Sequence, residues 1–168
     1  MAASKPNGKA NKEATDALTL LIKDHDNVKA MFKKYDRLAE QNARADERNS
    51  LAALICAELT IHAQIEEEIF YPAVRRVLKD DDLIDEALVE HSSAKELISQ
   101  LADMDAKDKL FDAKVKVLGE QIDHHVEEEQ NEMFPKVKKS DLDLDDLGER
   151  LSLRKQELVD ELDIPTEP

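Results

Sequence analysis

The sequence has little glycine and proline, a single cysteine and no tryptophan. Its 168 residues include 3 Gly and 5 Pro, too few turn residues for an all-β sandwich or a glycine-rich nucleotide-binding fold. Cys56 alone allows neither an internal disulfide nor a thiolate metal site, and we interpret it as a packing residue. No apolar run approaches the ~20 residues of a membrane span, and the N-terminus lacks the apolar segment of a secretory signal. These absences predict an all-helical, cytoplasmic protein.

Negative charge dominates the composition. The chain has 39 acidic and 24 basic residues, which gives a formal net charge of -15. Such a surface repels phosphate groups, so nucleic acids and anionic membranes are disfavoured as partners.

Apolar residues recur at spacings of three and four along four long stretches, which is the period of amphipathic helices. They predict helices over about 15–42, from near 46 to the acidic run at 79–82, over 83–101, and over 111–137. Pro72 should bend or interrupt the second helix. Four helices with short links indicate an antiparallel up-down-up-down bundle. We predict a disordered arm at 1–14, the bundle at 15–139, and a short acidic helix with a tail at 140–168. This last helix either covers the bundle or forms a homodimer contact.

Each predicted helix carries one histidine in the middle of its apolar stripe. These are His25, His62, His91 and His125. A single core histidine is usually explained by a hydrogen-bond partner, but in an up-down bundle four mid-helix histidines lie at the same height. The four imidazoles should therefore converge on one layer of the core.

The second half of the chain repeats the first. The segment from His62 to Pro72 matches the segment from His125 to Pro135 with an offset of 63, and the region of His91 matches that of His25 with an offset of 66. Two copies of this length indicate a duplicated helical hairpin rather than a solenoid.

The duplicated segments each contain a histidine and a glutamate at i, i+4. His62 with Glu66, and His125 with Glu129, place an imidazole and a carboxylate on one helix face. A surface ion pair is the alternative, and for Glu67, Glu68, Glu127 and Glu128 we expect only solvation. Glu66 and Glu129 instead occupy the apolar stripe, where an unpaired carboxylate is costly. Four imidazoles and two bridging carboxylates suit two metal ions, with a preference for iron or manganese.

These motifs resemble the hemerythrin-like HHE cation-binding family. The resemblance rests on DH at 24–25, HxxxEEE…YP at 62–72, EH at 90–91 and HHxxEE…MFP at 124–135, and it covers about 15–139. It implies a four-helix bundle with two iron ions in a carboxylate-bridged centre that also has an oxo or hydroxo bridge. The implied metal residues are His25, His62, Glu66, His91, His125 and Glu129.

Two positions depart from the family's oxygen carriers. The oxygen carriers have an additional histidine one turn after the third-helix histidine, and this chain has Lys95 at that position. The fourth-helix ligands of the oxygen carriers stand five residues apart. His124 is five before Glu129 and His125 is four before it. The repeat favours His125, which leaves His124 as a competing ligand, a hydrogen-bond donor behind the ligands, or a solvent-facing neighbour. For Tyr35 and Tyr71, core packing is favoured over hydrogen bonding beside the metal.

Two classes of function fit this chain. The first is a binding protein that ligates oxygen, nitric oxide or peroxide, or that senses or buffers iron. The second is a di-iron enzyme that decomposes peroxide or reduces nitric oxide. With two histidines and two bridging carboxylates at each ion, both ions keep an open position, which is compatible with either class.

Overall fold

The structure, a computed structural model, describes residues 15–163, and the predicted arm at 1–14 lies outside that range. The described chain is helical throughout its regular structure. Its α-helices are α1 (Ala17–Glu40), α2 (Ala45–Ile65), α3 (Tyr71–Leu78), α4 (Asp81–Ala102), α5 (Phe111–Glu128), α6 (Phe134–Lys138) and α7 (Leu144–Leu162). Within 15–163, no helix is long and apolar enough to cross a membrane.

The helix boundaries follow from capping residues. The Asp16 side chain accepts from the Thr19 amide at 2.8 Å and begins α1, while Asp80 and Asp143 cap α4 and α7 in the same way. These carboxylates satisfy amide groups that have no partner inside the helix and favour its positive end. Helix α1 ends at Glu40, two residues before the predicted limit, because Asn42 adopts a positive φ of 51°.

The second and fourth long helices of the bundle are each interrupted by a change of helix type and not by a break. The interruption of the second helix was predicted from Pro72. A π turn at Glu66–Phe70 joins α2 to α3, and another at Glu129–Met133 joins α5 to α6. In each, the residue before the proline donates its amide to the carbonyl five residues earlier. This wider turn makes room for the rings of Pro72 and Pro135, which would clash with an α-helical turn.

The four-helix bundle is as predicted. Its four members are α1, α2 continued by α3, α4, and α5 continued by α6. Helix α1 packs mainly against α2, and α4 against α5, as expected for two hairpins. Two apolar clusters fill the core on either side of the histidine layer. One includes Leu21, Ile65, Phe70, Met133 and Val137, and the other includes Val28, Tyr35, Ile55, Val115 and Leu118.

Helix α7 covers the bundle along α1 and α2. It has 19 residues, so it is nearly as long as the bundle helices. Leu147, Leu151 and Leu158 bury one face. Gly148 permits the closest approach, since a Cβ there would lie 2.3 Å from the Thr15 carbonyl oxygen. Of the two roles left open for this helix, the structure shows that it covers the bundle.

Candidate metal centre

The six residues predicted as ligands meet in the middle of the bundle. His25 and His62 come from α1 and α2, and His91 and His125 from α4 and α5. Glu66 and Glu129 are the first residues of the two π turns. All six side chains are buried. The duplication explains this placement, because each hairpin contributes one imidazole from its first helix and an imidazole and carboxylate from its second.

The imidazoles meet in pairs through the same ring atom. The Nε2 atoms of His25 and His62 lie 3.1 Å apart, and those of His91 and His125 lie 3.2 Å apart. The candidate ligand atoms therefore form two groups. We call them the first position, at His25 and His62, and the second position, at His91 and His125.

An oxygen acceptor behind each ring fixes its orientation. Asp24 faces Nδ1 of His62 at 3.0 Å, and Glu90 faces Nδ1 of His125 at 2.9 Å. The remaining two contacts are Glu67 with His91 at 3.2 Å and Gln130 with His25 at 3.1 Å. These acceptors favour the neutral tautomer with its proton on Nδ1, in which the Nε2 lone pair points inward. This is the arrangement in which proteins present histidine to a metal ion.

The two glutamates lie between the positions. Glu66 Oε1 is 3.1 Å from Nε2 of His62 and 3.3 Å from Nε2 of His91. Glu129 places Oε1 3.2 Å from His25 and Oε2 3.3 Å from His125. Each carboxylate thus faces an imidazole of both positions, which is the geometry of a bridging ligand.

The carboxylate oxygens themselves indicate what these residues are suited to hold. Both oxygens of Glu66 and Oε1 of Glu129 are buried without a hydrogen-bond partner among residues 15–163. A buried, unsatisfied carboxylate is costly, and a cation compensates it. Donor atoms 3.1–3.3 Å apart also match ligands that surround an ion at bonds of about 2.0–2.2 Å. The donor set therefore fits two metal ions that share carboxylates.

Without metal, the neighbouring carboxylates favour the protonated forms of His62 and His125. Burial lowers the pKa of His62, but the charge of Glu66 and the hydrogen bond to Asp24 outweigh it and raise the pKa to about 10. Burial also lowers the pKa of His125, and the carboxylates of Glu129 and Glu90 raise it to about 11. Metal ions must displace these protons, because only neutral imidazole is a ligand.

Tyr71 belongs to the centre, so the prediction of mere core packing is wrong for it. Its hydroxyl donates to Glu129 Oε2 at 2.7 Å and lies 3.3 Å from Nε2 of His91. Burial and the charges of Glu129 and Glu66 hold its pKa well above the usual value. The repeat aligns Tyr71 with Phe134, so the two copies differ at this position by the tyrosine hydroxyl group. Tyr35 lies elsewhere in the core and donates to Asp112 at 2.6 Å.

The prediction that Glu67 is only solvated is also wrong. One of its oxygens faces His91, and the other accepts from Lys95 at 2.7 Å. His91 and Lys95 are four residues apart on α4, so they face the same side of that helix. Lys95 therefore replaces the additional histidine of the oxygen carriers with an ion pair behind His91.

The two neighbouring histidines of α5 have opposite surroundings. His125 is buried beside Glu129, whereas the side chain of His124 is 63% exposed. His124 lies 3.2 Å from Glu128 and 3.5 Å from Glu90 at the surface. Of the three roles left open for His124, the structure places it as the solvent-facing neighbour.

A small apolar cavity of about 30 Å³ adjoins the histidine layer. All four histidines line it, together with Val28, Leu59, Ala94, Ile98, Ile122 and Val126. This volume exceeds the ~10–15 Å³ that one water molecule needs, but not by much. The cavity has room for a molecule of two or three atoms next to the candidate metal positions.

Comparison with known proteins gives the class to which this fold and donor set belong. The profile of the hemerythrin HHE cation-binding domain matches residues 16–137, and the chain belongs to that family. A crystal structure of an HHE cation-binding domain-containing protein from Mycobacterium kansasii superposes with a TM-score of 0.72. It is 25% identical, and the match covers 88% of this chain and 89% of that one.

One curated relative is a DNA nickase from Nostoc sp. (strain PCC 7120). It is 25% identical over 129 residues, which are 77% of this chain. The match covers 35% of the nickase, so the chain spans about a third of that protein's length.

Proposed function

We propose that the chain holds two iron ions in a carboxylate-bridged centre and binds or reacts with oxygen, nitric oxide or peroxide there. The observation that supports this most is the position of Glu66, whose Oε1 lies within 3.3 Å of an imidazole from each position. A mononuclear site would not need a shared carboxylate. The proposed ligands are His25, His62, Glu66, His91, His125 and Glu129.

The donor types favour iron. Imidazole with carboxylate suits iron, and a structural zinc site would use thiolates. The single cysteine is Cys56, and burial raises the pKa of its thiol to about 11. When bound, the iron pair supplies redox electrons and open coordination positions. The protein's own part is to orient the four rings through their Nδ1 acceptors and to hold a proton on Tyr71.

The cavity supports a small ligand. Its volume of about 30 Å³ and its apolar lining suit a diatomic molecule or peroxide. Apolar walls also keep bulk water away from the ring nitrogens, which strengthens electrostatic interactions inside the site. Access to both positions from one cavity is what a ligand that contacts two ions requires.

A second candidate, an enzyme that decomposes peroxide or reduces nitric oxide, is favoured by Tyr71. Its hydroxyl is a hydrogen-bond donor fixed 2.7 Å from Glu129. Reduction of nitric oxide by the reduced iron pair consumes protons, whereas decomposition of peroxide to water and oxygen moves protons between molecules without consuming them. A role in buffering or sensing iron uses the same ligands and needs no turnover.

Nucleic acid is not a partner in this proposal. The net charge of -15 opposes binding to phosphate, and the nickase activity is that of a protein about twice as long. Anionic membranes are disfavoured for the same reason. A cytoplasmic location agrees with the single, unpaired cysteine.

Anaerobic stopped-flow absorption of the reduced, iron-loaded protein tests the proposal. Mixing with oxygen, nitric oxide and peroxide in turn should give a fast spectral change with at least one of them. A change that reverses on removal of the ligand assigns binding, and repeated consumption of substrate assigns the enzyme. Iron loading well below two ions per chain, or no reaction with any of the three, contradicts the proposal.

A further inference from the structure

The C-terminal helix reaches the metal centre through one lysine. Lys155 of α7 donates to Oδ1 of Asp24 at 2.5 Å, and the other oxygen of Asp24 faces Nδ1 of His62 at 3.0 Å. Lys155 lies outside the segment that the family profile matches, residues 16–137. A residue 131 positions away from Asp24 is therefore one side chain removed from a candidate ligand.

The packing of α7 fixes where this lysine lies. Leu151 and Leu158, four residues before and three after it, are buried on the same helix face. The close approach at Gly148 brings the helix against the start of α1. Lys155 is consequently held with its side chain only 29% exposed, and the Asp24 side chain is 8% exposed.

The lysine completes the surroundings of a buried carboxylate. Oδ1 of Asp24 accepts from Lys155 and Oδ2 faces Nδ1 of His62, so both oxygens of this buried carboxylate have a partner. With one oxygen toward each partner, Asp24 has a single favourable orientation, and this fixes the ring of His62. The positive charge of Lys155 also limits how much electron density Asp24 donates to that ring.

Among residues 15–163, the other three imidazoles have no cation that is as little exposed as Lys155 behind them. Glu67, behind His91, pairs with Lys95, but the Lys95 side chain is 51% exposed, so solvent screens the pair. Glu90, behind His125, adjoins the exposed His124. Gln130, behind His25, is uncharged.

We propose that Lys155 is a positioning residue, which orients His62 through Asp24, so that the docked α7 sets the metal affinity and the redox potential of the first position. The inference rests on the proposed function, because it assigns His62 to a metal ion. It gives the C-terminal helix a role in the centre beyond covering the core.

Three variants separate this role from general stabilisation. Lys155→Met removes the charge and keeps most of the stem, and Lys155→Arg restores a donor. Arg154→Met is the matched control, because Arg154 is the adjacent cation of α7 and pairs with Glu68 at 2.8 Å, away from the imidazoles. Anaerobic titration with Co²⁺ should show one of the two ions bound about tenfold more weakly in Lys155→Met. We expect Lys155→Arg to recover most of the loss and Arg154→Met to titrate like the unmodified chain.

The redox potential gives a readout that helix docking alone does not move. Loss of a nearby positive charge should lower the midpoint potential of the iron-loaded Lys155→Met protein, and Arg154→Met should leave it unchanged. Asp24→Asn should also weaken the binding of one Co²⁺ ion. Adding Lys155→Met to Asp24→Asn should change the affinity little, because both substitutions act through the contact between Asp24 and His62.

The outcomes are distinguishable. If the unmodified chain binds two Co²⁺ ions and Lys155→Met matches it in both affinity and potential, the inference is wrong and the proposed function stands. Equal effects of Lys155→Met and Arg154→Met would also overturn it, because they indicate only loss of α7 docking. If the unmodified chain binds fewer than two ions, both proposals fail.

Discussion

The first and second positions of the metal centre are built by the same rule. In each, the acidic residue just before the first-helix histidine contacts the second-helix histidine of the same hairpin, Asp24 with His62 and Glu90 with His125. Each hairpin also ends its long helix with a π turn that begins at a glutamate. Duplication has therefore preserved the ligands and the acids that orient two of them.

The two positions differ in the residues around this common frame. Phe134 stacks on His25 with ring centroids 6.1 Å apart, whereas its counterpart Tyr71 places a hydroxyl at the second position. Gln130 behind His25 corresponds to Glu67 behind His91. The second position thus has two acids behind its imidazoles, and the first has one. The partly buried Lys155 pairs with the acid of the first position, and the more exposed Lys95 pairs with one acid of the second. We expect two ions with unequal properties.

Glu66→Ala is expected to have the largest effect, because it removes a ligand that both positions share. The variant should lose both metal ions, as measured by elemental analysis after anaerobic iron loading. Glu68→Ala is the control, since Glu68 is exposed on the same π turn and pairs with Arg154. A Glu66→Ala protein with two ions per chain would show that Glu66 does not bridge.

His125→Ala tests one position alone. It should lose about one iron ion per chain or abolish the centre, whereas His124→Ala should retain two, because the His124 side chain faces solvent beside Glu128. The same metal analysis measures both. Loss of metal from His124→Ala with retention in His125→Ala would reverse the assignment on α5.

Removal of metal should make stability depend on pH through one histidine from each position. The folded-state pKa values of His62 and His125, about 10 and about 11, exceed the unfolded value of about 6.5. Their contribution is complete below about pH 6.5 and is lost as pH rises toward 10–11. The melting temperature of the chelated protein, followed by circular dichroism, should fall by roughly 5 °C or more between pH 6.5 and 9.

The iron-loaded protein should lack this decline, because metal replaces the protons, and should melt at a higher temperature at every pH in that range. A metal-free melting temperature that stays constant from pH 6.5 to 9 would show that these histidines are not held protonated.

Exchange of the aromatic pair should have the smallest effect. Tyr71→Phe removes the donor to Glu129 and should keep two ions, while weakening one of them by about tenfold in a Co²⁺ titration. Phe134→Tyr is the complementary change at the first position. If Tyr71→Phe leaves both affinities and the rate of reaction with oxygen or peroxide unchanged, the hydroxyl has no role in the centre.

The bundle and the meeting of the six predicted residues follow from sequence because both depend on local periodicity. Helical spacing places each histidine on its apolar stripe, and the 63-residue repeat distinguishes His125 from His124. The fold prediction is confirmed, and metal binding by these residues stays a prediction. The sequence predicts only that Pro72 bends or interrupts its helix, and it does not predict the π turns. The choice between a kink and a wider turn depends on packing.

The residues behind the ligands were mostly missed because their partners are distant in sequence. Glu67 looks like a surface acid beside Glu68 until α4 brings His91 and Lys95 beside it. Lys155 gives no sequence signal at all, because its contact with Asp24 depends on how α7 docks. Asp24 and Glu90 do have a signal in the sequence, because each directly precedes the first histidine of its hairpin.

Mössbauer spectroscopy of the ⁵⁷Fe-loaded protein, combined with an iron count, tests the central claim most directly. For a carboxylate-bridged pair with unequal surroundings, we predict two iron ions per chain. The oxidised protein should give two quadrupole doublets of equal area from one coupled, diamagnetic pair. One iron per chain, or the magnetic spectrum of isolated Fe³⁺ ions, would contradict the account.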